Sequence, residues 1–374
     1  MMYKFIISFF IFSIYFGHLD TGITPFFISK IAITLLLLTA IISDFRDYFN
    51  FSNLTKILLF LLLFISIRNF FYYSTEISFI NLEFLLIILC IESISTLIRN
   101  NRINFNKIVN YTILFSALVG LYLILGFGDN SWDNRHTIDG QNQNLLAVNM
   151  SIGIIFCLIK FKKSKIKILL FISLFIMLAA ITMTGSRSGF IISLLGALGV
   201  LKRYFSFVQL NKKLLYSFLI ILFITILGLI FFYSENILLS RFLENPSWDL
   251  SGRDAYWLAM PSWVEDNWLF GIGEAGLYSY SMFTYGSALN PHNLYVKIFV
   301  EAGLIGLLIV SLLIRELFIL KNISKNNLYI IPGILVFLAL SLVAHPLTTM
   351  SMWLLFIPCV VLTKINRQKK FNEL

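Results

Sequence analysis

Three arginines and one histidine of this chain have the residue types and settings to act together on an anionic substrate. Arg135 follows shortly after Asp129, and Arg187 stands in Thr184-Gly185-Ser186-Arg187-Ser188-Gly189. Arg253 belongs to Ser251-Gly252-Arg253-Asp254, and His292 to Asn290-Pro291-His292-Asn293. A guanidinium stays charged and grips phosphate oxygens two at a time, so converging arginines suit a phosphorylated group. A histidine accepts a proton near neutral pH, as a general base must. With Asn290 as N-cap and Pro291 at the first helical position, His292 falls in the first turn of a helix. The positive end of the dipole disfavours imidazolium there and keeps the ring able to accept a proton. The plainer readings are a surface histidine bonded to its loop and an Arg187 that only holds its hairpin.

The elements that must position these residues follow from composition. The 374 residues are 58% hydrophobic and 13% charged, with a mean hydropathy of +0.85. A soluble domain has roughly 45–50% apolar and about 25% charged residues. A soluble enzyme, a disordered chain and a nucleic-acid-binding module are therefore excluded. With about 20 apolar residues needed per crossing, the chain accommodates about twelve transmembrane helices. They are expected at 3–17, 23–43, 54–73, 77–98, 107–127, 143–160, 168–184, 187–201, 214–233, 293–314, 328–344 and 347–363. The fold class is thus an all-α integral membrane protein with a large outer loop. Four segments follow: N-terminal transmembrane helices over 1–128, central ones with a first outer loop over 129–233, the large loop over 234–291, and C-terminal helices over 292–374. Met1 to Gly17 shows no small-residue cleavage site and reads as a retained first helix. Cys90, Cys157 and Cys359 lie in apolar runs and read as buried small hydrophobes.

Most of the 29 Lys and Arg fall in alternate loops, which places those loops and both termini in the cytoplasm. The net charge of +10 is therefore mainly an orientation signal. Lys30, Arg68, Arg135, Arg187, Arg241, Arg253 and Lys297 remain on the outer side or within the membrane, where a cation needs a partner or a task. Lys30 and Arg68 can pair with Glu76 or Glu83, and Lys297 with Glu301 one helical turn on.

Two outer loops stand out, Asp129 to about Asn142 and Ser234 to about Pro291. The second is acidic and carries Trp248, Trp257, Trp263 and Trp268. These tryptophans suit helices lying in the headgroup layer, and packing of loop against bundle explains them equally well. Ser251 reads as an N-cap with Asp254 as the reciprocal acid. Arg253 and Trp257 would then share a face, and Pro261 would end or kink the segment. Gly271-Ile272-Gly273-Glu274-Ala275-Gly276 matches the dinucleotide-binding spacing without its strand-helix-strand context, and reads as a flexible turn. His345, beside Pro346, also faces outward and reads as structural.

Taken in order, these motifs resemble the O-antigen ligase and O-antigen polymerase family. The resemblance rests on Thr184 to Gly189, Gly252-Arg253 with Trp257, Gly271-Ile272-Gly273, Pro291-His292-Asn293, and Glu301-Ala302-Gly303-Leu304-Ile305-Gly306. Upstream, Arg135 with Asn144-Leu145-Leu146-Ala147 belongs to the same pattern. It is close over about residues 130–315 and extends to the rest through topology alone.

The resemblance implies a bacterial inner-membrane glycosyltransferase of GT-C-like helical fold, working at the periplasmic face. Its donor and acceptor would be undecaprenyl-pyrophosphate-linked oligosaccharides, with no cofactor and no metal, in contact with membrane lipid and no nucleic acid. A chain-length regulator is the protein partner it implies. Arg187, Arg253 and Arg135 would bind the pyrophosphate and His292 would be the catalytic base. Arg241, Trp257, Asn293 and Tyr295 would contact the acceptor or the loop. The Phe, Ile, Asn and Lys bias typical of antigen gene clusters favours the polymerase, and the spacing of Arg241 to Gly252 resembles one in polymerase loops without deciding it. The ligase, which moves the finished chain onto lipid A-core, is the alternative. A transporter of lipid-linked sugars is the alternative from another class.

Overall fold

The computed structural model describes residues 2–16, 27–43, 45–72, 82–127, 129–130, 136–137, 142–161, 164–207, 253–286, 291–323, 328–343, 347 and 349–361. Its long elements are helical and mostly apolar. They are α1 (Met2–Phe16), α2 (Phe27–Ser43), the short α3 (Phe45–Tyr48), α4 (Asn53–Tyr72), α5 (Leu82–Arg99) and α6 (Phe105–Ile124). Next come α7 (Gln143–Phe161), α8 (Lys167–Met183), α9 (Arg187–Phe207), α10 (Arg253–Trp263) and α11 (Gly273–Tyr285). The series ends with α12 (Leu294–Ile323), α13 (Ile330–Val343) and α14 (Met350–Trp353). Asp129–Asn130 pairs antiparallel with His136–Thr137 in a two-residue ribbon.

Asn53–Phe70, Phe105–Ile124, Gln143–Phe161 and Leu294–Leu320 are each long and apolar enough to cross a membrane. Shorter apolar helices accompany them at Met2–Phe16, Ile28–Ser43, Lys167–Met183, Arg187–Leu201 and Ile330–Leu342. The chain is an all-helical membrane protein, and its helices fall on the spans expected from sequence, apart from 214–233, which lies outside the described residues. The last expected span is not one continuous helix. After Trp353 the backbone tightens, with Leu355 donating to Met352 and Phe356 to Trp353, before helix resumes at 357–361. Pro358 has no N–H to donate to the preceding turn, which accounts for the break.

Within a bilayer each backbone group must be satisfied inside the protein. Hydroxyls inside these helices fold back onto the preceding turn, as Thr34 does on Lys30 O, Ser95 on Ile91 O and Thr112 on Ile108 O. Helix α7 is the centre of the bundle, packed between α6, α8 and α9. A buried chain of polar groups ties it to α1, α6 and α14. Ser116 Oγ donates to Tyr15 Oη at 2.9 Å, Tyr15 Oη to Asn149 O at 3.3 Å, and Ser351 Oγ to Asn149 Oδ1 at 2.5 Å. On the other side α4 packs against α11 and α12, and a separate apolar cluster of Met260, Trp263, Val264, Ile272, Leu277 and Val300 joins α10, α11 and α12.

Candidate functional site

The hairpin between α8 and α9 fixes Arg187. Gly185 turns the chain with φ 60°, and Ser186 then caps α9 by accepting from Gly189 N at 3.2 Å. Ser186 Oγ also donates to Asn144 Oδ1 at 2.9 Å, which ties the hairpin to the first turn of α7. Below it, a Cβ on Gly189 would stand 2.4 Å from Ala147 Cβ, so only glycine allows α7 and α9 to meet here. Ser151 Oγ donates to Gly189 O at 2.8 Å. The two motifs Asn144–Ala147 and Thr184–Gly189 are therefore two halves of one contact. Arg187 is the first residue of α9, half-buried, with no ion-pair partner among the described residues. A charged side chain left in that state at a membrane helix end is available to an anion.

His292 is held differently from the expectation. The N-cap of α12 is Asn293, whose Oδ1 accepts from Tyr295 N at 2.9 Å and Val296 N at 3.1 Å. Asn290 lies outside the described residues. His292 therefore precedes the cap and is not in the first turn, so the dipole reaches it from the helix end. Its φ of 49° puts a non-glycine residue in the left-handed region, which costs energy and persists only where neighbours enforce it. One such neighbour is Trp257 of α10, whose Nε1 donates to Pro291 O at 3.1 Å. The expected Trp257 contact is thus with the residue that precedes the histidine. Tyr295 is partly buried against the main core. Arg253 opens α10, one turn before Trp257 on the same helix. Pro261 lies in the last turn of α10, which ends at Trp263, so it marks the stop expected of it.

Beneath His292, α12 is broken at Gly303, with φ 61° and ψ −157°. The carbonyl and amides released there bond to the turn 268–272. Ile272 N donates to Val300 O at 2.8 Å, Leu304 N to Trp268 O at 2.9 Å, and Ile305 N to Leu269 O at 3.2 Å. Gly271, at φ 72°, lies directly on the break, where a Cβ would stand 2.5 Å from Ala302 N. The segment Gly271 to Gly276 is therefore not the flexible turn its composition suggested. It is a fixed entry into α11, spliced into the hydrogen-bond ladder of α12.

Helix α4 clamps the same turn from outside. Arg68 Nη2 donates to Gly271 O at 2.5 Å and its guanidinium stacks 5.7 Å from the Phe270 ring. Asn69 Oδ1 accepts from Glu274 N at 2.7 Å and so caps α11. The expected pairing of Arg68 with Glu76 or Glu83 falls on side chains outside the described residues, and Lys30 is exposed. The expected pair Lys297–Glu301 is present at 3.4 Å, and Lys297 also reaches Glu274 of α11 at 3.6 Å. This three-charge group bridges the first part of α12 to α11. Sequence reasoning missed Asn69 and the double role of Lys297. The paired Gly-x-Gly and Ala-Gly motifs were the only signal of the splice.

Arg135, Arg241 and His345 lie outside the described residues, as does Ser251, the expected cap of α10. The side chain of Arg253 is likewise not described. Cys90, Cys157 and Cys359 are buried free thiols. Among the described residues no three His, Cys, Asp or Glu side chains converge as metal ligands would.

Residues 172–311 match the family model described as O-Antigen ligase. The match runs from α8 to the middle of α12 and takes in Arg187, Arg253, the spliced turn, His292 and the Gly303 break, while α1 to α7 precede it. This segment is similar to a family that covers both O-antigen ligases and polymerases. No curated protein matches the chain.

Proposed function

We propose, from the O-antigen ligase-like domain over residues 172–311, that this protein is a glycosyltransferase of surface-polysaccharide assembly. We assign it as the polymerase, which joins undecaprenyl-pyrophosphate-linked oligosaccharide repeats at the periplasmic face of the inner membrane. The observation that carries the reading is the setting of His292. The ring stands at an enforced left-handed residue between the Trp257-bound Pro291 carbonyl and the Asn293 cap.

In the proposed reaction the acceptor hydroxyl oxygen attacks the anomeric carbon of the donor. The bond from that carbon to the pyrophosphate oxygen breaks on the opposite face, so configuration inverts. His292 takes the hydroxyl proton as the new C–O bond forms, which strengthens the nucleophile. The electron pair leaves on undecaprenyl pyrophosphate, where Arg187 and Arg253, with Arg135, stabilise the growing charge. Preorganised donors of this kind are worth about 3–4 kcal/mol each when aimed at developing charge. No metal is required for that step. Arg241, Trp257, Asn293 and Tyr295 are assigned to contacts with the acceptor or the loop, Asn293 chiefly by holding the helix start. A chain-length regulator is the proposed protein partner.

The second reading, from the word ligase in the family description, is the enzyme that transfers the finished chain to lipid A-core. Purified protein incubated with lipid-linked repeats, with and without lipid A-core, separates the two. Ladders of repeats formed without the core establish the polymerase. Transfer only to the core establishes the ligase, and no transfer in either arm returns the reading to a lipid-linked sugar transporter.

A further inference from the structure

We propose that the turn Trp268–Phe270 and the outward face of α11 seat in the lipid boundary of the bilayer. The part of the loop next to the site is then anchored in the membrane surface on the side of His292. Two membrane helices place this turn at the same level. Above its break α12 carries the charges of Lys297 and Glu301, and below it the exposed apolar stripe of Leu304, Leu308 and Leu312 begins. The change from charged to apolar along α12 therefore falls at Gly303, to which the turn is spliced. The apolar stretch of α4 ends at Phe70, one residue beyond the Asn69 that caps α11 and two beyond the Arg68 that holds Gly271. The turn and the start of α11 are thus tied to the boundary from both sides.

The exposed side chains continue the lipid-facing surface across that junction. On α4 the exposed residues Phe60, Leu63, Ile67 and Phe70 follow one face, and on α12 Leu304, Leu308 and Leu312 follow another. Trp268, whose carbonyl accepts from Leu304 N, and Phe270, stacked on Arg68, are themselves 54% and 44% exposed. They extend the two stripes across the junction, where the Arg68 guanidinium lies against the Phe270 ring. Helix α11 then presents Tyr278, Met282 and Tyr285 along one side, with Phe283 at 92% exposure beside them. Beyond Glu274 it carries no charged residue. Its other side is occupied, because Leu277 packs in the cluster of Met260, Trp263, Val264, Ile272 and Val300. An outward face this apolar, rich in tyrosine and contiguous with lipid-facing helices, is what the headgroup and acyl boundary accommodates.

The test uses the full chain in phospholipid nanodiscs. Nitroxide labels are placed at Phe270→Cys and Phe283→Cys, with Ser262→Cys on the exposed end of α10 as a water-facing reference. The native thiols are buried, so labelling of the unsubstituted protein sets the background. Power saturation is expected to show faster collision with oxygen than with a nickel chelate at 270 and 283, and the reverse at 262. Faster collision with the nickel chelate at both 270 and 283 overturns the proposal and leaves these aromatics open to water, as a glycan-stacking face would be. If the cysteine variants fail to insert, hydroxyl-radical footprinting of the unsubstituted protein replaces them. Met282 oxidised no faster than the buried Met260 supports the lipid seat. Oxidation of Met282 at the rate of a free methionyl peptide overturns it.

Discussion

Gly271 and Gly303 meet backbone to backbone, so closely that a Cβ on Gly303 would stand 2.6 Å from Gly271 N and 2.4 Å from Leu269 C. Both residues have positive φ. This contact joins the outer loop to the helix that begins just after His292. It predicts that Gly303→Ala inserts into the membrane but melts several degrees lower. A φ of 61° with ψ of −157° lies in a region essentially confined to glycine and costs an alanine about 1–3 kcal/mol, before any overlap is counted. A displacement near 1 Å at a catalytic group costs on the order of 100-fold in rate. Transfer assays on purified Gly303→Ala should show a loss of that order, and an unchanged rate would mean that the splice does not position the site.

Trp257→Phe keeps most of the ring packing and removes the donor to Pro291 O, bonded at 3.1 Å in the native chain. One hydrogen bond of this kind is worth about 1 kcal/mol net. The expected outcome is a fall in kcat of roughly five- to tenfold with KM for the lipid-linked donor unchanged. A raised KM with native kcat would instead place Trp257 on the substrate.

Arg187→Lys retains the positive charge and loses the bidentate fork. A drop in transfer of about 100-fold is expected if the guanidinium stabilises the leaving pyrophosphate. Ser186→Ala, which removes the cap of α9 and the bond to Asn144, should cost about 1 kcal/mol of stability and much less of the rate. Native activity in Arg187→Lys would reduce Arg187 to a structural part of the hairpin.

Lys297→Met leaves Glu301, 3% exposed, and Glu274 facing each other without their shared cation. Breaking a buried ion pair from one side typically costs about 3–5 kcal/mol. Lower yield and a lower melting temperature in detergent are expected, with partial recovery in the double variant Lys297→Met, Glu301→Gln. Recovery is the informative outcome, since general damage to α12 would not be relieved by a second substitution.

The bundle was legible in the sequence because each lipid-facing helix must be apolar over its whole length, a signal independent of partners. The cap of α6 at Asn104 went unread, since the span was expected only from 107. At α12 two asparagines flank Pro291-His292, and both suit an N-cap. Only the bonds from Tyr295 and Val296 select Asn293. Arg68 was read through its charge, which pointed to a carboxylate, and its bond to the carbonyl of Gly271, 203 residues away, went unread. A backbone acceptor leaves no trace in residue type. The same holds for the splice at Gly303, which is built from main-chain groups of two distant segments. Local propensity sees two glycine-rich stretches there and reads flexibility, while the fold uses them for close approach.

The most direct test of the account is the turnover of His292→Ala in purified, membrane-inserted form, supplied with lipid-linked repeats as both donor and acceptor. The account predicts that this variant binds the donor with native affinity and forms no polymer. Extension of the repeats at the native rate would contradict the role of His292 as the base, and with it the reading of this site as the place of glycosyl transfer.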